Sequence, residues 1–180
     1  MRKLTFDEIR SRRLTEEQAL QSGRLPLCAL LDNVRSLYNV GSVFRTADAL
    51  WMSELVLAGF TPHPPRREID KTALGATKTV PWRMFHDPLE ALHTLRSEGY
   101  SIWAVELTTT SVPLTSLETP PSRLALVFGN EVTGVSPGVL ASCDRAVDIP
   151  MHGTKHSLNV AVAFGIAAFH FASLMRRTSP

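Results

Sequence analysis

Short, uninterrupted apolar runs recur along the chain, and most are followed by a segment whose apolar residues return every three or four positions. Leu25 to Asp32, Glu54 to Ala58, Ser101 to Leu107, Arg123 to Gly129 and Ala146 to Pro150 are runs of the first kind. Their shortness, and apolar residues on both alternations, suit strands buried on both faces. Asn39 to Leu50 is of the second kind, with Val40, Val43, Phe44, Ala47 and Leu50 at helical spacing. After Asp87-Pro88, which reads as an N-cap and first helical position, Leu89, Leu92 and Leu95 mark another helix that Gly99 ends. Ser136-Pro137 opens a shorter one. Strands alternating with helices predict an α/β fold: a mostly parallel sheet with helices on both faces.

Three stretches break this rhythm. Phe6 to Gln21 reads as a charged helix with Leu14 and Ala19 as its few apolar contacts, ending near Gly23. Residues 1–24 therefore form a basic helical arm, and 25–180 the domain proper. Thr61 to Thr79 is rich in proline and basic residues, with a short helix expected around Asp70 to Ala76; irregular segments of this length are more often functional than idle. Pro150 to Ala168 joins a polar loop, His152 to His156, to a helix that is apolar nearly all round and so is expected to be buried on every side. Ser157 stands where an N-cap would, and Asn159 follows in the first turn. The free N–H groups of such a helix start suit an acceptor-rich ligand, although a capped core helix beneath a surface loop has the same pattern.

Composition adds limits. With 180 residues the chain can bury a full core as one domain without staples, and its two cysteines, Cys28 and Cys143, lie far apart in apolar settings, unlike a secreted disulfide framework. The N-terminus has no signal-peptide apolar core, and no apolar run reaches the length of an isolated membrane span, so a cytoplasmic protein is expected. A net charge of +2 does not by itself imply a nucleic-acid partner. The basic residues are clustered, however: Arg2, Lys3, Arg10, Arg12 and Arg13 in the arm, Arg66, Arg67 and Lys71 in one loop, then Lys78 and Arg83, and Arg176 and Arg177 at the end.

In an open parallel sheet, ligands bind beyond the carboxyl ends of the strands. Three such places here are unusually polar: Asp32 to Ala47, Phe128 to Ser136, and the loop from Pro150. Arg45 lies six residues after Asn39 on a helix with apolar neighbours, where an arginine either snorkels or pairs with an anion, a structural salt bridge being the ordinary case. Glu131 follows Gly129, a residue that lets a ligand approach the backbone. Between the first strand and first helix only Gly41 is available, so the glycine-rich turn of dinucleotide-binding folds is missing. His152 and His156 have no third ligand nearby, and Ser157 lacks a nucleophile elbow, which argues against a metal enzyme and a serine hydrolase.

Taken in order, Asn39-Val-Gly-Ser-Val-Phe-Arg45-Thr-Ala47, Leu126 to Ser136 and Ile149 to Ala163 resemble the three motifs of the SpoU/TrmH class of RNA ribose 2′-O-methyltransferases in the SPOUT superfamily. The resemblance spans about Leu25 to Phe171. It implies an α/β knot, with the C-terminal part threaded as a trefoil, S-adenosylmethionine held in the knot's loops, and a homodimer with the active site between subunits. By position it assigns Asn39, Arg45, Glu131, Ser157 and Asn159 to the polar active site, and Gly129, Ile149 and Leu158 to the cofactor, with Leu107 and Thr108 beside them. It implies RNA as partner, transfer RNA ahead of ribosomal RNA because only the short basic arm precedes the domain, and no metal. The alternative is a catalytically inactive RNA-binding relative.

Overall fold

The computed structural model describes residues 1–178, with the side chains at positions 16, 19, 20 and 178 outside the description. Seven strands, β1 (Leu25–Asp32), β2 (Met52–Ala58), β3 (Trp82–Phe85), β4 (Ser101–Val105), β5 (Val112–Pro113), β6 (Leu124–Phe128) and β7 (Arg145–Asp148), form one sheet in the order β3-β2-β1-β6-β4-β7-β5. Every pairing is parallel. β1 shows why both faces must be covered. Leu27, Ala29 and Leu31 enter one core with α3 (Leu37–Leu50) and α7 (Val160–Thr178), while Cys28 and Leu30 enter the other with α5 (Pro88–Ser97) and α6 (Pro137–Ala141).

The helices begin where the sequence provides caps. The Ser36 hydroxyl accepts from the Asn39 N–H, so α3 starts at Leu37, two residues before the expected Asn39. Asp87 caps α5 through the Leu89 N–H, with Pro88 at its first position. α4 (Arg67–Ala73) lies directly on α3, and Gly41 is why: a Cβ there would overlap Thr72 Oγ1 and the Ile69 carbonyl.

Several expectations are corrected. The arm is not one helix but two, α1 (Phe6–Ser11) and α2 (Glu16–Gln21), because Thr5 with Glu8 and Thr15 with Gln18 each form a capping box that starts a helix anew. The Ala19 contact lies outside the described residues. The short helix around Asp70 begins earlier, at Arg67. β3 and β5 were not expected: both are edge strands, so half-exposure replaces the unbroken apolar run that marks the inner strands, and β5 has only two residues.

α7 is not buried all round. Phe164, Ala167, Ala168, Phe171, Ala172 and Met175 face the core, where Phe164 meets Phe128 and Phe171 meets Trp103 edge-on at 5.3 and 5.5 Å. Val162, Ile166 and Phe169 form an exposed stripe on another side. The stretch Val160–Arg177 is also long and apolar enough to cross a membrane, contrary to the expectation that no run reaches that length. Its inner side is built into the core of the sheet.

Candidate functional site

The carboxyl ends of β4, β6 and β7 open into a cavity of about 820 Å³, within the range of small-molecule and cofactor sites. Leu107 lines it after β4, Phe128 to Gly134 after β6, and Ile149, Met151 and Lys155 to Leu158 after β7. Leu107, Val132, Met151 and Leu158 are exposed apolar side chains around it, set beside the polar residues Glu131, Thr133, Lys155 and Ser157. That combination fits a ligand with a planar apolar part and polar ends. Of the residues anticipated for the cofactor, Leu107, Gly129, Ile149 and Leu158 stand in this lining; Thr108 instead closes a turn, its hydroxyl accepting from the Thr110 N–H.

The loop after β6 is built to hold its shape. Asn130 and Gly134 exchange backbone hydrogen bonds of 3.0 and 2.9 Å, folding the loop onto itself. A Cβ at Gly129 would overlap the backbone of Gly134 and Val135, so the loop's own closure also requires a glycine at this point of the cavity lining. Two acids clamp the far end. Glu106 accepts from the Val135 N–H at 2.9 Å, and fully buried Asp32 accepts from the Ser136 N–H at 2.7 Å and from the Asn33 side chain at 2.8 Å. Asn130 reaches back to the Asn33 carbonyl at 2.8 Å. Sequence reading passed over Asp32, Asn33, Glu106 and Asn130; an acid ending each of two apolar strands is the signal that could have found the clamp.

The three polar segments meet in a chain of hydrogen bonds. Asn159 caps α7, its Oδ1 accepting from the Ala161 N–H at 2.9 Å, while its Nδ2 donates to Asn39 Oδ1 at 3.1 Å. Asn39 Nδ2 donates to Glu131 Oε1 at 2.9 Å, and Glu131 also accepts from the N–H groups of Ser36 and Arg35 at 3.0 and 2.9 Å. Asn159, not Ser157, is therefore the cap, and Ser157 is free to line the cavity. Burial raises the Glu131 carboxyl's pKa, but the hydrogen bonds from Arg35, Asn39 and Ser36 outweigh it and hold the group below its ordinary value. Glu131 is thus a carboxylate at neutral pH, engaged by three neutral donors and unsuited to giving a proton.

Arg45, two turns along α3 from Asn39, is exposed and makes no hydrogen bond or ion pair with the described residues. The salt bridge that would make it structural is not formed among the described residues. Arg66, Arg67 and Lys71, on or beside α4, are likewise exposed and outside any ion pair among the described residues. Arg83, grouped with them by sequence, is held at 2.7 Å by both Glu54 and Glu98. Among the described residues no group of three His, Cys, Asp or Glu could hold a metal ion.

The SpoU rRNA Methylase family matches residues 26–169. The chain is 34% identical to the tRNA (guanosine(18)-2′-O)-methyltransferase of Thermus thermophilus, the match covering 90% of this chain and 81% of that protein. Among solved structures it is similar to the Aquifex aeolicus TrmH/SpoU tRNA modifying enzyme, with a TM-score of 0.77 and 28% identity over 88% of this chain and 80% of that one. It is also similar to the AdoMet-bound rRNA methyltransferase of Sinorhizobium meliloti, with a TM-score of 0.77 and 26% identity over 88% of this chain and 62% of that one.

Proposed function

Since the chain belongs to the SpoU rRNA methylase family, we propose that it transfers a methyl group from S-adenosylmethionine to a ribose 2′-hydroxyl of RNA. The observation that carries this reading is the Asn159–Asn39–Glu131 chain, which fixes three sequence-distant segments against one another beside the cavity. The AdoMet-bound relative supports the choice of cofactor, and the cavity's apolar and polar lining residues suit the adenine and methionine parts of that molecule. Bound there, it supplies an electrophilic methyl.

The protein's own residues then have to hold and polarise the ribose. The Arg45 guanidinium offers donors and no acceptor, so it acts as a donor to the developing oxyanion and orients a neighbouring phosphate, which can take part in removing the proton. Glu131 orders Asn39 and the turn before α3, placing that helix for Arg45. Ser157 faces the reacting groups from the opposite loop. Unpaired Arg45, together with the intact polar chain, favours an active enzyme over an RNA-binding relative without catalysis. Exposed Arg66, Arg67 and Lys71 supply phosphate contacts; Arg83 does not, because Glu54 and Glu98 already neutralise it.

The working unit in this proposal is a cytoplasmic homodimer, its last segment threaded as a trefoil knot, with transfer RNA as substrate and ribosomal RNA next. The exposed Val162, Ile166 and Phe169 stripe on α7 supports a subunit contact. A stable contact buries on the order of 1,600 Å² in total.

Incubation of the protein with labelled S-adenosylmethionine and an unmodified transfer-RNA transcript, followed by nucleoside analysis, tests the chemistry. A 2′-O-methylated nucleoside is expected. Label on a base, or none on transfer or ribosomal RNA, overturns the proposal.

A further inference from the structure

The turn after β2 carries a feature that neither the core nor the polar junction uses. Phe60 is 62% exposed, although the backbone beneath it is pinned from several directions. Gly59 lies at φ +67°, its N–H donating to the Phe85 carbonyl, and a Cβ there would overlap the Asn33 side chain. The Phe60 N–H donates to Asn33 Oδ1 at 3.1 Å. The next residue, buried Thr61, donates to the Leu31 carbonyl and accepts from the Val34 N–H, at 2.9 and 3.0 Å. A large aromatic ring is thus presented to solvent on a fixed mount, at an apolar cost that the fold does not recover within the described chain.

Where it stands gives the ring a use. Asn33, which holds the Phe60 N–H, is also joined through its carbonyl to Asn130, the neighbour of Glu131. Phe60 is therefore set, through two asparagines, at a fixed place relative to the junction of Asn39 and Glu131. β2 is the neighbour of β1, so the turn that carries Phe60 leaves the carboxyl edge one strand, roughly 5 Å, from the strand that leads to Asn39. Tyr38, 51% exposed, adjoins Asn39 at the start of α3; exposed Arg35 lies three residues before it, and exposed Arg66 precedes α4, which packs on α3. Exposed aromatic rings interleaved with uncompensated cations match unpaired RNA, in which bases stack on the rings while phosphates meet the charges.

We propose that Phe60 is a stacking residue for an unpaired nucleobase adjoining the target ribose beside the Asn39–Glu131 junction, with Tyr38 flanking the same base. This rests on the RNA-methyltransferase reading and adds to it the requirement that the substrate be unstacked at this site. The ring's π-face accepts any base, so the contact positions the RNA and does not select its sequence.

The test compares the intact protein with Phe60→Ala, Phe60→Leu and Phe60→Trp. The probes are a 12-nucleotide oligoadenosine RNA carrying 2-aminopurine for binding, and a transfer-RNA transcript for methylation. Stacking predicts that the wild type quenches 2-aminopurine and that Phe60→Ala and Phe60→Leu bind RNA roughly 5- to 150-fold more weakly, with S-adenosylmethionine affinity unchanged. Phe60→Trp should restore both binding and quenching, a recovery that an apolar packing role would not require. Wild-type affinity and methylation in a folded Phe60→Ala protein, or full rescue by leucine, overturns the stacking role while leaving the enzyme intact. Dissociation of a dimer by Phe60→Ala in sedimentation overturns it in favour of a subunit contact. Failure of the wild type itself to bind or methylate either RNA overturns the methyltransferase reading, and the stacking role with it.

Discussion

Two arginine–glutamate regions on the same sheet use the same residue types in opposite ways. Around β3, Arg83 faces Glu54 and Glu98, both at 2.7 Å, and its charge is cancelled inside the fold. Around the start of α3, Glu131 is satisfied by neutral donors from Arg35, Ser36 and Asn39, and Arg45 on the same helix has no acidic partner among the described residues. The first region is a closed ion-pair network. The second separates its charges: the carboxylate is taken up by neutral donors of the fold, and the guanidinium is left without an acidic partner among the described residues. Composition is therefore no guide to role; what matters is which groups answer each charge.

Replacing the two arginines gives the largest contrast. Arg45→Ala should lose about 10² to 10³ in turnover, as expected for removal of one donor to a developing oxyanion, with an unchanged melting temperature because it loses no partner in the fold. Arg83→Ala should turn over normally and lose stability on the order of 1 kcal/mol, leaving Glu54 and Glu98 facing each other. Single-turnover methylation beside thermal melting reads both. A destabilised Arg45→Ala that retains full turnover when folded would reverse the assignment.

Glu131→Gln sharpens the same distinction from the acidic side. A carboxylate can accept from Arg35, Ser36 and Asn39 together, whereas an amide offers one oxygen and turns an NH2 toward at least one of these donors. The residue is exposed and water can replace part of what is lost, so a stability change of about 1 kcal/mol is expected, with lower turnover from a displaced α3. Equal stability and turnover in the variant, by melting and single-turnover assay, would remove Glu131 from its positioning role. Acidification acts in the same direction. With its folded pKa depressed, Glu131 stabilises the protein above the ordinary carboxylate range, and this is lost as pH falls through the folded value.

The inner strands, α5 with its Asp87-Pro88 start, and the presence of a cavity at the strand ends were legible in the sequence, because each depends on local chemistry or on the general placement of clefts in open parallel sheets. What was not legible depends on distant partners. Arg45 and Arg83 look alike in sequence, and only Glu54 and Glu98, which are 29 and 15 residues from Arg83, separate them. That Gly129 is also required by its own loop was hidden for the same reason, because the atoms a Cβ would meet belong to Gly134 and Val135. The exposed side of α7 was hidden for a similar reason: an apolar helix surface does not say whether its cover is the sheet or something outside the chain.

The smallest effect concerns salt, and it separates the two regions without asking anything of catalysis. Glu98 has a lowered pKa chiefly through its hydrogen bond to Arg83, against a desolvation that raises it, whereas the donors that lower Glu131 are uncharged. An ion pair with a third of its arginine exposed is screened by mobile ions, and at 1 M salt the screening length shrinks to about 3 Å. Hydrogen bonds from neutral N–H groups to a carboxylate are much less affected, because only one partner carries charge. The melting difference between the wild type and Arg83→Ala should therefore narrow by a few tenths of a kcal/mol between 0.1 and 1 M sodium chloride, as expected for a pair worth about 1 kcal/mol or less. The difference between the wild type and Glu131→Gln should persist over the same range. Parallel closing of both gaps would mean that Glu131, too, is stabilised mainly by a cation, with Arg35, whose own N–H is bonded to that carboxylate, as the first candidate, and the contrast between the two regions would be lost.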